Sequence, residues 1–500
     1  MIRLKQFYRR WYRWLSSFLL SLPLAALVLA YGQATPGTQA QAPPSAGASE
    51  QQNSGEAGAQ PEQKISPQEA AELFRDIDAI LKFASQDTDL PIKQEVKRRL
   101  ATREEVVSYL EKSMAEDKDT ERLRRSERVL KKFGLLPVDF DLEGFLVKLL
   151  REQVAGYYDP KTKTVNLLDW IGPEQQRPVM AHELTHALQD QSFGLQKWMK
   201  KGDIDLDHKK NPTSEDFERD EESEARQAVV EGQAMVVLVD YMLAPTGQAL
   251  LSSPQIAKAL TEGMLVGSSD SPEYEKAPIF LKESLTFPYR YGLDFEAELL
   301  RSGGKQRAFA AAFTNPPQTT REIMEPKSYL SGERLEAMPL PDFKKDFEKY
   351  ERFDIGAMGE FDVAILLDQY ANPEISHTIY PHWRGGYYYA VQSKADAAAP
   401  LGLLYWSRWS DRESAARFAA IYAQGLSLRY KQVHEVAEDQ TSIPDLAKLK
   451  SLTGRHSWLT TEGPVVIRVQ QETILVTESL DPATTERLEQ ELVGSPAARP

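Results

Sequence analysis

The sequence predicts an α+β fold: a mainly helical core with a small β-hairpin ahead of its central helix, followed by a C-terminal α+β unit. Three observations predict it. Apolar residues recur at helical spacing from residue 66 onward and again through 225–243. Two β-rich runs flank Asp159-Pro160, a turn signal between strands. From about residue 345, helical and strand-like segments are interleaved.

The N-terminus reads as a targeting segment. Arg3, Lys5, Arg9, Arg10 and Arg13 precede an apolar run from Leu15 to Ala30, broken by Pro23. Small residues at Gly32-Gln33-Ala34 and Ala40-Gln41-Ala42 offer cleavage sites. The run is short for a spanning helix, which needs about 20 residues. A cleaved signal and a retained membrane anchor both stay open, and either exports the remainder to the periplasm, the cell exterior or the outer side of a membrane. The expected organisation is 1–34 signal or anchor, 35–64 disordered linker, 65–137 helical region, 138–340 central domain and 341–500 C-terminal α+β domain. The linker is polar and small-residue-rich, so it cannot bury enough surface to offset the cost of ordering.

Order begins at Ser66-Pro67-Gln68-Glu69, a capping box with proline in the first helical turn. Leu73, Ile77, Ile80 and Leu81 then supply one apolar face. The pattern predicts further helices over Val96–Leu110, Thr120–Phe133 and Leu142–Leu150, then a hairpin from Gln153–Tyr158 to Thr164–Leu168. A helix around residue 182 follows, with Pro178 in its first turn. The polar, acidic stretch 201–224 reads as a solvated loop. Ala225–Leu243 reads as an apolar helix, and 254–335 as mostly helical with breaks at Phe287-Pro288-Tyr289 and Pro316-Pro317. Beyond 345, helices are expected at Met358–Tyr370, Glu413–Ala423 and Thr484–Leu492. Strands are expected at Trp383–Val391, Leu403–Trp406, Pro464–Val469 and Thr473–Thr477.

Composition narrows the function. The net charge of −14, with no basic stripe in the mature part, argues against nucleic-acid binding. With no cysteine, the 500-residue chain has neither disulfides, thiolate metal sites nor a cysteine nucleophile.

Residues 182–186 read His-Glu-Leu-Thr-His, using two of only seven histidines. On a helix, positions i and i+4 share a face, so both imidazoles can reach one Zn²⁺ while Glu183 lies within reach as a general base for a water. A catalytic zinc takes three protein ligands. Position 189 is Gln and position 192 is Ser, so the extended three-histidine pattern is absent. A carboxylate from another helix is therefore expected. Glu231 is preferred because it stands alone in the run from Ala228 to Val237, where a carboxylate must be neutralised, paired or metal-bound. Gly232 beside it would admit a second helix at close range. Glu224, two turns earlier, is the alternative ligand, and pairing of Glu231 with Arg226 or Arg290 the structural one.

Other candidates follow. Asp190 is either an outer hydrogen-bond acceptor for a ligand imidazole or an exposed helix-end residue. Tyr289, Arg290, Tyr291 and Tyr329 are candidate oxyanion donors, with Tyr289 placed in the catalytic set. Thr164–Leu168 is either an ordinary strand or an edge that pairs with an extended peptide. Among the remaining histidines, only His382 merits a test.

These motifs resemble the zincin metallopeptidases, the gluzincin branch in particular, and a group of uncharacterised exported bacterial HExxH proteins. The resemblance is carried by Gln153–Pro160, His182–Gln191, Val230–Ala234, Phe287–Gly292 and Asn315–Thr320, within roughly residues 140–330. It implies a zincin-like core, His182, His186 and Glu231 as zinc ligands, Glu183 as base, and hydrolysis of a peptide or protein substrate. The chain departs from that group at Glu325-Pro326, where His-Pro is expected. Two other readings stay open: a non-catalytic envelope binding or assembly protein on the same scaffold, and a metal-dependent hydrolase of a cell-wall amide.

Overall fold

The structure is a computed structural model that describes residues 64–108, 120–152, 156–204, 206, 209–266, 272–436 and 446–494. The expected targeting segment, nearly all of the linker and His208 lie outside them. Helix α1 (Pro67–Thr88) starts at the capping box: Ser66 Oγ accepts from Glu69 N at 3.2 Å, and Glu69 Oε2 accepts from Ser66 N at 2.6 Å. Lys97–Ala101 is strand β1, not the helix expected there. Main-chain pairing along residues 164–168 overrides the local helical pattern, because strand preference is set largely by the neighbouring strand. Helices α2 (Thr120–Lys132) and α3 (Leu142–Glu152) agree with expectation.

Strands β2 (Tyr157–Asp159) and β3 (Thr164–Leu168) form the expected hairpin. The sheet order is β1-β3-β2, with β1 parallel to β3. Strand β3 is thus paired on both sides and cannot take up a substrate strand, contrary to one of the two readings above; β2 is an edge.

Helix α4 (Pro173–Phe193) begins five residues before Pro178, with Pro173 rather than Pro178 in its first turn. Gln176 fixes this start. Its side chain accepts from Leu168 N at 2.9 Å and donates to Leu168 O at 3.0 Å, splicing the helix to the end of β3.

The acidic stretch 201–224 is a largely exposed loop over 209–213, as expected, but its later part is not. That part forms a short helix (Ser214–Glu218), a 3₁₀ turn (Arg219–Glu221) and the first turn of helix α5 (Glu222–Leu243). Asp220, Glu221, Glu222 and Glu224 are all buried. Partners explain the first three: Asp220 Oδ2 accepts from Ala357 N at 3.1 Å, Glu221 Oε2 from Thr320 N at 3.0 Å, and Glu222 Oε1 from Arg226 Nε at 2.8 Å. Charge that looks like a solvent-facing run joins separate parts of the chain instead. Among the described residues, the stretch Ser214–Thr246 is long and apolar enough to cross a membrane, yet 72% of its apolar window is buried within the protein.

Helix α6 (Ile279–Lys305) continues through Pro288, where a break was expected. Pro288 removes one main-chain hydrogen bond, but Phe287, Pro288 and Tyr289 are all buried against the rest of the core, and packing keeps the helix intact.

The C-terminal part opens with strand β4 (Tyr350–Ala357) and helix α7 (Glu360–Tyr370). It continues with β5 (Trp383–Ser393), β6 (Gly402–Trp409), helix α8 (Arg412–Arg429), β7 (Val433–Glu435), β8 (Gly454–Thr460), β9 (Gly463–Gln470), β10 (Thr473–Glu478) and helix α9 (Pro482–Leu492). The strands form a seven-stranded antiparallel sheet in the order β4-β5-β6-β10-β9-β8-β7. Alternate residues enter different cores, as strand geometry requires. Tyr388, Ala390, Leu403 and Tyr405 join the large apolar cluster that also contains the helical part, whereas Tyr387, Tyr389, Leu404 and Trp406 pack with Leu488 and Leu492 of α9. The molecule is α+β, as expected, and one face of its large sheet is continuous with the core around α4 and α5.

Candidate metal centre

Helix α5 packs between α4 and α6. Its contact with α6 is backbone to backbone: a Cβ added to Gly232 would lie 2.2 Å from Gly292 O, and one added to Gly292 would lie 2.3 Å from Ala228 O. Only glycine at both positions permits this approach. It brings Glu231 of α5 and Tyr289 of α6 toward the same side of α4.

His182, His186 and Glu231 converge there. His182 Nε2 and His186 Nε2 are 3.0 Å apart, and Glu231 Oε2 lies 3.1 Å from the first and 3.4 Å from the second. Two imidazoles and a carboxylate about a zinc at roughly 2.0–2.1 Å would place tetrahedral ligand atoms about 3.3–3.4 Å apart, so the triangle fits the ion that the motif implies. Among the described residues these three form the single group of histidines and carboxylates close enough to hold a metal. Glu224 is buried but outside the triangle. Neither proposed arginine pairs with Glu231: Arg226 bonds Glu222, and Arg290 bonds Glu283.

Burial dominates the electrostatics. His182, Glu183, His186 and Glu231 are 0%, 1%, 3% and 0% exposed. Desolvation lowers the His182 pKa to about 4 and raises that of Glu183 to about 8. Burial also works against a charged His186 and a charged Glu231, but their mutual attraction and hydrogen bonding outweigh it. His186 rises to about 9, and Glu231 falls below its ordinary range. In this arrangement a proton shared with His186 balances the Glu231 charge, which is the part a bound cation would play.

Glu183 is held by the hairpin. Its Oε2 accepts from the Tyr158 backbone N–H of edge strand β2 at 2.8 Å, while Oε1 is buried without a hydrogen bond. The Tyr158 hydroxyl donates to Asp190 Oδ2 at 2.9 Å, Lys163 pairs with the same oxygen, and Asp190 Oδ1 accepts from Leu195 N at 3.0 Å. Asp190 is therefore neither exposed nor a partner of a ligand imidazole. It secures the end of α4 to the hairpin.

The outer acceptor for His186 is Gln189, whose Oε1 lies 2.9 Å from Nδ1. Gln227 Nε2 donates to the second oxygen of Glu231 at 2.7 Å. Sequence reasoning missed both. Gln227 was visible as a polar residue four positions before Glu231 in an apolar helix, and Gln189 as one three positions after His186.

Of the oxyanion candidates, only Tyr289 neighbours the triangle; its ring centroid is 6.4 Å from that of His182. One and two residues further, the helical rotation of about 100° per residue aims Arg290 and Tyr291 elsewhere. Arg290 pairs with Glu283, and Tyr291 packs on Phe287 and Phe361. The Tyr329 hydroxyl donates to Asn315 O at 2.7 Å. His382 bonds Ser410 Oγ and Asp411 Oδ2, each at 2.8 Å, in a partly exposed position. Glu325 joins two short helices and acts electrostatically on Glu360 and Arg384, not on the triangle. No protein-family model, curated protein or solved structure matches the chain.

Proposed function

We propose that the protein is an exported zinc-dependent metallopeptidase with a zincin-like, gluzincin-type core. The observation that carries this reading is the His182–His186–Glu231 triangle with Glu183 alongside. Zinc held by the three ligands would supply Lewis acidity and lower the pKa of a water. The chain's own residues would do the rest. Glu183, oriented through Oε2 by the Tyr158 N–H, would use Oε1 to take a proton from the attacking water and deliver it to the leaving amine, once a bound cation offsets the burial that otherwise holds its pKa at about 8. Tyr289, whose ring neighbours that of His182, would donate to the developing oxyanion. Gln227 fixes the Glu231 carboxylate.

One observation favours a second reading, a non-catalytic protein with a closed structural metal site. All four groups are at most 3% exposed, so a peptide reaches them only after the cover moves. The presence of Glu183 favours the peptidase, because a structural site has no use for a base.

The test measures zinc per chain and cleavage of an unbiased peptide library by the wild type and by Glu183→Gln. The peptidase reading expects about one zinc in both proteins and cleavage by the wild type alone. Stoichiometric zinc with no cleavage by either protein would overturn it in favour of the structural site.

A further inference from the structure

A line of buried amides leads away from His186. It begins at the Ala308 carbonyl, in a π-helical turn (Gln306–Ala311) that follows α6. A carbonyl only accepts, so Gln233 must turn its Nε2 toward it, at 2.7 Å. Gln233 Oε1 is then left as an acceptor and takes Gln189 Nε2 at 3.0 Å. The same Nε2 donates to the Val230 carbonyl at 3.0 Å. With both its amide protons committed, Gln189 can only present Oε1 to His186 Nδ1, 2.9 Å away. Both glutamines are 0% exposed, so no solvent competes for these bonds.

We infer that Gln189 and Gln233 form a one-way hydrogen-bond relay, anchored on the Ala308 and Val230 carbonyls, that fixes the proton of His186 on Nδ1 and so aims the Nε2 lone pair at the metal. The inference rests on the metal-centre reading above. Gln189 and Gln233 are positioning residues: they touch neither substrate nor metal. Both amide orientations are dictated by backbone carbonyls, so the direction of the relay does not depend on which amide atom is taken as nitrogen. A metal-bound histidine needs such an acceptor, and a neutral amide sets the tautomer without adding negative charge. Two neutral imidazoles, one carboxylate and a divalent ion then keep a net charge of +1, which preserves the acidity of the centre.

The relay is serial, and this makes it testable with the full chain. Zinc Kd is measured by chelator competition for the wild type, Gln189→Met, Gln233→Met and the double variant; methionine preserves volume without an amide. Gln189→Met should weaken zinc binding by about 10–100-fold. Gln233→Met should weaken it in the same direction although residue 233 does not touch His186, and the double variant should be no weaker than Gln189→Met. An unchanged Kd for Gln233→Met, whatever its melting temperature, overturns the relay; so do strictly additive effects. A readout independent of zinc is the His186 Nδ1 proton in histidine-labelled NMR spectra of the metal-free wild type. It should be present and slow to exchange, and its absence overturns the proposal even if the variants fail to fold. A wild type that binds no zinc refutes the metal centre; because a charged His186 carries this proton with or without the relay, only slow exchange that is lost in Gln233→Met then keeps the relay standing.

Discussion

Gly232 and Gly292 touch through their backbones, and this contact sets the distance between the helix that carries Glu231 and the helix that carries Tyr289. A methyl group at either position would sit against a carbonyl oxygen, which cannot rotate away.

Gly232→Ala should therefore destabilise the protein by about 1–3 kcal/mol or more through overpacking. It should also weaken zinc binding, because Glu231 is the adjacent residue. Thermal unfolding and a zinc titration check this; an unchanged melting temperature would show that the helices separate at no cost.

Glu231→Ala should abolish stoichiometric zinc binding, whereas Glu224→Ala should retain it. Metal analysis of the two purified proteins decides between them. Retention of full zinc affinity by Glu231→Ala would falsify the ligand assignment.

Tyr289→Phe should keep zinc while lowering kcat by about 10²–10³-fold, the usual loss for one oxyanion donor. Zinc content measured beside the kinetics separates this from metal loss. An unaltered kcat with full zinc would remove Tyr289 from the chemistry.

Glu478 joins the two ends of the fold. Its carboxylate accepts from Arg429 at 2.9 and 3.1 Å and from Tyr422 at 2.6 Å, also bonds the Tyr430 hydroxyl, and lies 3.9 Å from Lys132. Burial pushes its pKa up, but Arg429, then Lys132 and the two hydroxyls, outweigh burial and leave it below 4.5. A carboxylate with a depressed folded value contributes stability that is fully present above the unfolded pKa and lost as pH falls through the folded one. Glu478→Gln should cost about 3–5 kcal/mol at pH 7, because it leaves a buried arginine unpaired. The difference from wild type should shrink below pH 4.5, as followed by denaturant unfolding across pH; a pH-independent difference would contradict the assignment.

Glu296 carries the opposite sign. Burial raises its pKa well above 4.5, outweighing a hydrogen bond with Gln233 that lowers it. The folded state holds this proton more tightly than the unfolded state, so its contribution is full below pH 4.5 and declines as pH rises toward the folded value. Glu296→Gln mimics the neutral acid. It should melt higher than wild type at pH 7 and at the same temperature near pH 4. A lower melting temperature at pH 7 would mean that the ionised carboxylate is needed.

Helix α4 was legible in the sequence because its information is local. The spacing of His182 and His186 puts both on one face of any helix, and Glu231 is conspicuous as a charge inside an apolar run. The capping box at Ser66 and the β-rich run Trp383–Val391 are equally local, and both appear as expected. Strand β1 was not legible, because Lys97–Ala101 becomes a strand only by pairing with β3, more than sixty residues away. That one ladder also makes β3 internal and leaves β2 as the edge whose Tyr158 N–H reaches Glu183.

The sequence by itself determined the chemistry on offer: two imidazoles four apart, a base between them, a solitary buried carboxylate and a glycine beside it, all set by helical period and by the cost of burying charge. Only the tertiary structure decided which groups meet. Glu231 rather than Glu224 closes the triangle, Gln189 Oε1 rather than Asp190 faces His186 Nδ1, and Asp220, Glu221, Glu222 and Glu224 are buried. Each outcome depends on partners distant in the chain, such as Gly292, Ala308, Thr320 and Ala357, whose approach no local pattern encodes.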